Sequence, residues 1–170
     1  MAAFKRPITL IVVSYWFCFW LLNAMDKVLA RQDIGLLRWW GNDRIEKFTM
    51  YFDRLSFDPA FVYPTLMFAG VAELLVALPF LYAGIRLVQD KPGAARLADL
   101  AIAASIAVFL GFAVFDVIVG DRAELLEHST YVGVLLISFL AIAAEMFFNH
   151  LHKLTRTDEF QSNNHPAPAE

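Results

Sequence analysis

The chain has 170 residues, 59% of them hydrophobic, and a formal net charge of −3. Its mean hydropathy of +0.54 is higher than a soluble domain of this length carries. The charges form no basic stripe or polybasic run, which argues against nucleic acid as a partner. The single cysteine, Cys18, excludes an intramolecular disulfide, a CxxC redox pair and a cysteine-based metal site built from this chain alone.

Four long apolar stretches predict membrane-spanning helices at residues 8–25, 61–85, 100–119 and 131–148. Each approaches or exceeds the roughly 20 residues that a helix needs to cross a hydrocarbon core about 30 Å thick. The sequence therefore predicts an all-α fold, in which four antiparallel helices form one domain, residues 1–154, embedded in the lipid bilayer. The polar residues 155–170 are predicted to form a disordered tail.

The first apolar stretch follows Lys5 and Arg6, as in a secretory signal peptide, and that alternative stays open. Its aromatic residues and the poor cleavage site Leu22-Asn23-Ala24 favour a retained helix. Seven lysine and arginine residues lie in the ends and the short second loop, and the other seven are diluted along the long first loop or lie among acids in the short third loop. Short loops carry more weight in setting the orientation. The positive-inside rule therefore predicts a multi-pass protein of the inner membrane with both termini in the cytoplasm.

The first outer loop contains an amphipathic segment at residues 42–57. Apolar residues recur there at helical spacing, with charged residues on the opposite side. The apolar positions are Ile45, Phe48, Tyr51, Phe52 and Leu55. This pattern predicts an interfacial helix that lies on the membrane surface or caps the bundle, two compatible placements.

Glu73 lies near the middle of the second predicted span. An ionisable side chain at that depth costs about 2.5–3.5 kcal/mol, so it is expected to face the bundle interior. Its helix face also carries Ala69, Gly70 and Gly84, small residues that allow another helix to approach closely. Without an opposite charge at its depth, Glu73 is predicted to be protonated. It could then donate to a quinone carbonyl, relay a proton, or bond a backbone carbonyl.

A second group of polar residues lies near the predicted outer face. Asn23 and Lys27 share a stripe of the first helix, and Asp116 lies about one turn inside the third. The spacing predicts an ion pair between Lys27 and Asp116, with His128 as a third member. This network could lock the helices together or hold a quinone head group or small polar ligand. Asn23 and Glu73 are the candidate residues for a buried proton or quinone site.

At the cytoplasmic side, Glu145 is predicted to pair with Arg6 or Arg86. His150 and His152 are two residues apart and do not share a helix face, so no metal site is predicted there.

Two segments resemble the DoxX-like family of four-helix membrane proteins: Asn23-Ala24-Met25-Asp26-Lys27 and Gly70-Val71-Ala72-Glu73-Leu74-Leu75. The resemblance covers about residues 8–148, and only Lys27 and Glu73 fall on recognisable family positions. It implies a small inner-membrane subunit, tied in some members to quinone-coupled thiosulfate or sulfur oxidation and in others to thiol-redox partners. Asn23 stands where the family commonly has glycine, and the absence of a cysteine pair argues against direct thiol oxidation.

The predicted function is a subunit that anchors or completes a quinone-linked redox complex, without a covalently bound cofactor and not catalytic alone. Other subunits of the complex are the expected partners, and a homo-oligomer is left open. One alternative is a purely structural subunit of a respiratory or photosynthetic assembly. Another is a small transporter with Glu73 as its midplane site, although the chain has no evident inverted repeat.

Overall fold

The computed structural model describes the backbone of residues 6–164 and the side chains of residues 6–155. In chain order the elements are α1 (Pro7–Leu29), the short strands β1 (Asp33–Ile34) and β2 (Leu37–Arg38), α2 (Ile45–Arg54), α3 (Val62–Val88), α4 (Ala94–Val119) and α5 (Arg122–Asn164). A 3-10 turn, Pro59–Phe61, precedes α3. Four helices, α1, α3, α4 and α5, are long and apolar enough to cross a membrane. The prediction of an all-α, multi-pass four-helix bundle is confirmed.

The four long helices are arranged so that α1 and α4 lie diagonally across the bundle. Helix α1 packs mainly against α3 and α5, and α4 packs against the same two helices from the other side. One end of the bundle holds the start of α1 and the α3–α4 turn, and we call it the terminal end. The other holds the hairpin β1–β2, helix α2 and the α4–α5 turn, and we call it the α2 end.

The α1–α3 contact uses the small-residue stripe predicted from the sequence. A methyl group at Gly70 would lie 3.5 Å from the Lys27 side chain, and one at Gly84 would lie 3.5 Å from Val13. These two contacts are separated by the same number of residues on both helices, as a constant antiparallel register requires. A methyl group at either position would make an ordinary van der Waals contact, so the stripe of small residues faces α1 without steric overlap.

Two tryptophans of α1 fill the centre of the bundle. Trp16 and Trp20 are at most 1% exposed. The Trp16 indole N–H donates to Ser138 Oγ at 3.0 Å, and that of Trp20 donates to Ser105 Oγ at 2.9 Å. Both indole N–H groups thus have hydrogen-bond acceptors within the protein. These bonds allow such large aromatic side chains to lie in the interior.

The helices extend beyond the apolar stretches from which they were predicted. Most strongly, α5 continues to Asn164, so the prediction of disorder is wrong for residues 155–164. This segment contains no proline or glycine, and it continues a helix that is already nucleated. The rest of the predicted tail, residues 165–170, lies outside the described residues.

The first loop folds back onto the bundle. The hairpin β1–β2, which the sequence did not reveal, turns at Gly35 with a φ of 60°. Helix α2 is shorter than predicted, and its Tyr51 and Phe52 are only 2% and 6% exposed. Phe52 packs with Val62 and Leu66 at the start of α3. Of the two placements open for the amphipathic helix, the contacts show that it caps the bundle.

Candidate functional site

A cavity of about 80 Å³ lies inside the bundle beneath α2. Aromatic side chains form much of its wall: Phe19, Trp20, Phe48, Tyr51, Phe109, Phe112, Phe115 and Tyr131. The polar side chains around it are Asn23, Lys27, Arg44, Glu73, Asp116, Glu124, Glu127 and His128. All five helices contribute, and every site residue predicted from the sequence lies on this cavity.

Lys27 and Glu73 form a buried ion pair on one side of the cavity. The Lys27 Nζ to Glu73 Oε1 distance is 2.6 Å, and the side chains are 12% and 5% exposed. The predictions that Lys27 pairs with Asp116 and that Glu73 has no opposite charge at its depth are therefore wrong. Helices α1 and α3 are neighbours, and the Lys27 side chain lies against α3 at Gly70, three residues before Glu73.

The second carboxylate oxygen of Glu73, Oε2, is buried and has no hydrogen-bond partner among the described residues. An unsatisfied polar atom in such surroundings costs free energy that a further donor would recover. Because Glu73 also lines the cavity, a ligand bound there could supply that donor.

Asp116 and His128 form a second pair across the cavity. The Asp116 Oδ2 to His128 Nδ1 distance is 2.6 Å, and the side chains are 4% and 14% exposed. The rings of Phe109 and Phe112 lie against the imidazole, with centroids 5.7 and 5.3 Å from it. The predicted association of His128 with Asp116 is confirmed, but without Lys27. Helices α4 and α5 are neighbours, whereas α1 lies diagonally opposite α4.

Asn23 lines the cavity without bonding either carboxylate. Its Nδ2 donates to the Phe19 carbonyl at 2.8 Å, one turn earlier in α1. Its own backbone carbonyl accepts a 3.4 Å hydrogen bond from Lys27 Nζ. Asn23 therefore lies beside the ion pair, and its role in a proton or quinone site stays a prediction.

Helix α2 is held over the cavity by a charged cluster that the sequence analysis missed. Arg44 lies 2.7 Å from Glu124, and Lys47 contacts both Glu124 and Asp121. The Tyr51 hydroxyl donates to Asp121 Oδ2 at 2.6 Å. The spacing of Arg44, Lys47 and Tyr51 places them on one face of α2. That face was a usable signal, but its acidic partners are distant in the chain: Asp121 lies in the α4–α5 turn and Glu124 in the first turn of α5.

The electrostatics of this cluster favour an ionised Asp121. The hydrogen bond from Tyr51, a backbone N–H of Glu124 and the nearby Lys47 hold the pKa of Asp121 well below its usual range. Burial and the hydrogen bond to Asp121 raise the pKa of Tyr51. The tyrosine thus stays a neutral donor and the aspartate a charged acceptor, which fixes α2 to the turn.

Asp26, in the segment that carries the family resemblance, organises the loop that leads to α2. Its carboxylate accepts from the Trp39 indole and from the Asn42 backbone N–H, both at 2.6 Å. Gly41 lies so close that an added Cβ would overlap Asp26 Oδ1 at 1.8 Å. Asp26 therefore ties the loop to the end of α1.

At the terminal end, Glu145 caps α1, and the predicted pair with Arg6 or Arg86 is not formed. It accepts from the backbone N–H groups of Ile8 and Thr9, each at 2.8 Å, and from the Thr9 hydroxyl. The first N–H groups of a helix have no intrahelical acceptors, and the helix dipole favours a negative charge beside them. Arg86 instead donates to the Pro92 carbonyl at 2.6 Å in the α3–α4 turn.

Among the described residues, no group of three or more His, Cys, Asp and Glu side chains is placed to hold a metal ion. No protein-family model, curated protein or solved structure matches this chain. The DoxX-like resemblance therefore stays a prediction that rests on its two short segments.

Proposed function

We propose that this protein is a small inner-membrane subunit that anchors or completes a quinone-linked redox complex, and that its cavity holds the quinone ring. The observation that carries the proposal is the meeting of two buried acid–base pairs, Lys27–Glu73 and Asp116–His128, at one aromatic-lined cavity. Pairs that only locked helices together would need no cavity between them.

The chemistry of the wall suits a flat ring with two polar oxygens. Aromatic side chains offer faces and edges for stacking against such a ring. Lys27 and His128 offer N–H donors for carbonyl oxygens, and the orphaned Glu73 Oε2 offers an acceptor for a hydroxyl. Binding sites of this kind are mostly apolar, with a few polar groups that fix the ligand's orientation.

The cavity is too small to hold an aromatic ring unless its wall moves. A cavity of about 150 Å³ is known to hold benzene, whereas this one measures about 80 Å³. Seating a ring therefore requires the half-buried rings of Phe48 or Phe115 to move outward. An isoprenoid tail would have to leave the bundle between two helices and lie in lipid.

A partner would supply the remainder of the redox reaction. Outside its four apolar helices, the described part of the chain consists of the hairpin, α2 and short connections. We therefore assign electron exchange with the ring to a neighbouring subunit, and the binding of the ring to this one. With the orientation predicted by the positive-inside rule, both termini face the cytoplasm and the α2 end of the bundle faces outward.

The test measures binding of a decyl-substituted ubiquinone analogue to the purified protein in detergent. Quenching of tryptophan fluorescence reports the binding. Ala69 lines the cavity, so Ala69→Phe should fill it and weaken binding at least about tenfold, as loss of ring contacts predicts. Ala107→Phe, on an exposed face of α4, is the matched control and should bind normally.

Purification from native membranes in mild detergent tests the subunit part of the proposal. Co-elution of a stoichiometric redox partner with extractable quinone would support it. A partner without quinone, together with no binding of the analogue, would favour the structural-subunit alternative. Elution alone, with proton-dependent solute flux in proteoliposomes, would favour the transporter.

A further inference from the structure

Among the described residues, only one of the two ring nitrogens of His128 has a hydrogen-bond partner. Nδ1 lies 2.6 Å from Asp116 Oδ2, whereas Nε2 lies 3.9 Å from Glu124 Oε2, beyond hydrogen-bond distance. A carboxylate at Nδ1 holds a proton on that nitrogen and fixes the ring orientation. Nε2 is therefore left as an acceptor when the ring is neutral and as a donor when it is protonated.

The surroundings of His128 suit exchange of a proton with ligand and solvent. The side chain lines the cavity and is 14% exposed. On its far side, Glu124 is bound by Arg44 and Lys47 of α2, and Lys47 reaches Asp121 in the α4–α5 turn. Charged groups thus continue from the imidazole to the aqueous α2 end of the bundle.

Several titratable or charged groups from the packed elements surround this imidazole and its cavity. They are Lys27 from α1, Arg44, Lys47 and Tyr51 from α2, Glu73 from α3, Asp116 from α4, Asp121 from the α4–α5 turn, and Glu124, Glu127 and Tyr131 from α5.

We infer that the Asp116–His128 dyad makes the cavity selective for the redox form of its ring, with His128 Nε2 as the selecting atom. This inference rests on the proposed function. Neutral His128 accepts a hydrogen bond from the hydroxyl of a hydroquinone. Protonated His128 donates one to the carbonyl of a quinone. Exchange of one form for the other is thus coupled to one proton at His128, which enters or leaves through the α2 end.

The experiment measures, under anaerobic conditions, the dissociation constants of the decyl-substituted quinone and hydroquinone as a function of pH. The ratio of quinone to hydroquinone affinity should fall as the pH rises, because protonated His128 favours the quinone and neutral His128 the hydroquinone. One coupled proton gives at most about a tenfold change per pH unit. His128→Gln should abolish this dependence, and His150→Gln, an exposed residue near the terminal end, should retain it.

A spectroscopic readout keeps His128 intact. The variant H150Q/H152Q/H165Q retains only one of the four histidines, so ¹⁵N-histidine NMR reports on His128 alone. Quinone should move the Nε2 resonance toward the protonated form, and hydroquinone toward the neutral form. If both ligands bind with a pH-independent ratio and no change at Nε2, the inference is wrong and the proposed quinone site stands. If neither ligand binds, both fail.

Discussion

Each end of the bundle buries a carboxylate, Glu145 at the terminal end and Glu73 at the α2 end, and the two side chains have different surroundings. Glu145 is 8% exposed and both of its oxygens accept from the start of α1. Glu73 is 4% exposed, yet only Oε1 is bonded, by Lys27, and Oε2 has no partner among the described residues. Glu145 thus caps the first turn of α1, whereas Glu73 lies beside the cavity.

This difference separates a structural acid from a candidate site. Burial alone does not distinguish the two residues, because both are nearly inaccessible. The hydrogen bonds do, since both oxygens of Glu145 accept from the start of α1, whereas Glu73 Oε2 has no partner among the described residues. On this basis the candidate site lies at the α2 end, whereas Glu145 is a structural contact with α1.

The largest expected effect comes from breaking the pair at the α2 end. Lys27→Met leaves the Glu73 carboxylate buried without its cation, and it should lower the free energy of unfolding by about 3–5 kcal/mol. Reversible unfolding in mixed detergent micelles measures this loss. The double variant K27M/E73M should recover most of it, because it removes both charges. A double variant as unstable as Lys27→Met would contradict a paired arrangement.

At the terminal end, Glu145→Ala removes the acceptor for Ile8, Thr9 and the Thr9 hydroxyl. The same unfolding measurement should show a loss of about 2 kcal/mol, typical of a lost helix cap with buried donors. Glu145→Gln keeps one acceptor oxygen and should lose less. Quinone-analogue binding should be unchanged in both variants. Glu46→Gln, an exposed position on α2, serves as the stability control.

Acid should loosen the attachment of α2 to the α4–α5 turn, which is the smallest effect expected. The pKa of Asp121 is lower in the folded protein than its ordinary value of 3.8. Its contribution to stability is therefore fully present well above pH 3.8 and is lost as the pH falls below that value toward the folded-state pKa. Hydrogen-exchange protection of α2, corrected for the intrinsic pH effect, should fall in that window.

Asp121→Asn should lower the protection of α2 already at neutral pH and remove most of its further loss in acid. Asp53→Asn, at an exposed position on α2, should leave the acid-induced loss unchanged. An acid-induced loss of protection in Asp121→Asn as large as in the unmodified protein would contradict this role of Asp121.

The sequence alone determined the class of this protein, since four apolar stretches of membrane-spanning length leave few other folds. It also identified five of the polar residues that meet at the cavity, Asn23, Lys27, Glu73, Asp116 and His128, because polar and ionisable side chains in or beside such stretches are costly and must face inward. The small-residue stripe of α3 was predictable for a different reason, since small side chains favour close packing between helices.

Only the tertiary structure decided which of these residues are partners. Lys27 joins Glu73 and Asp116 joins His128 because α1 neighbours α3 and α4 neighbours α5, an order that hydropathy does not encode. The docking of α2 by Glu124 and the capping of α1 by Glu145 likewise join residues far apart in the chain. Periodicity reports which face of a helix is buried, whereas the register and order of the packed helices determine what each buried charge contacts.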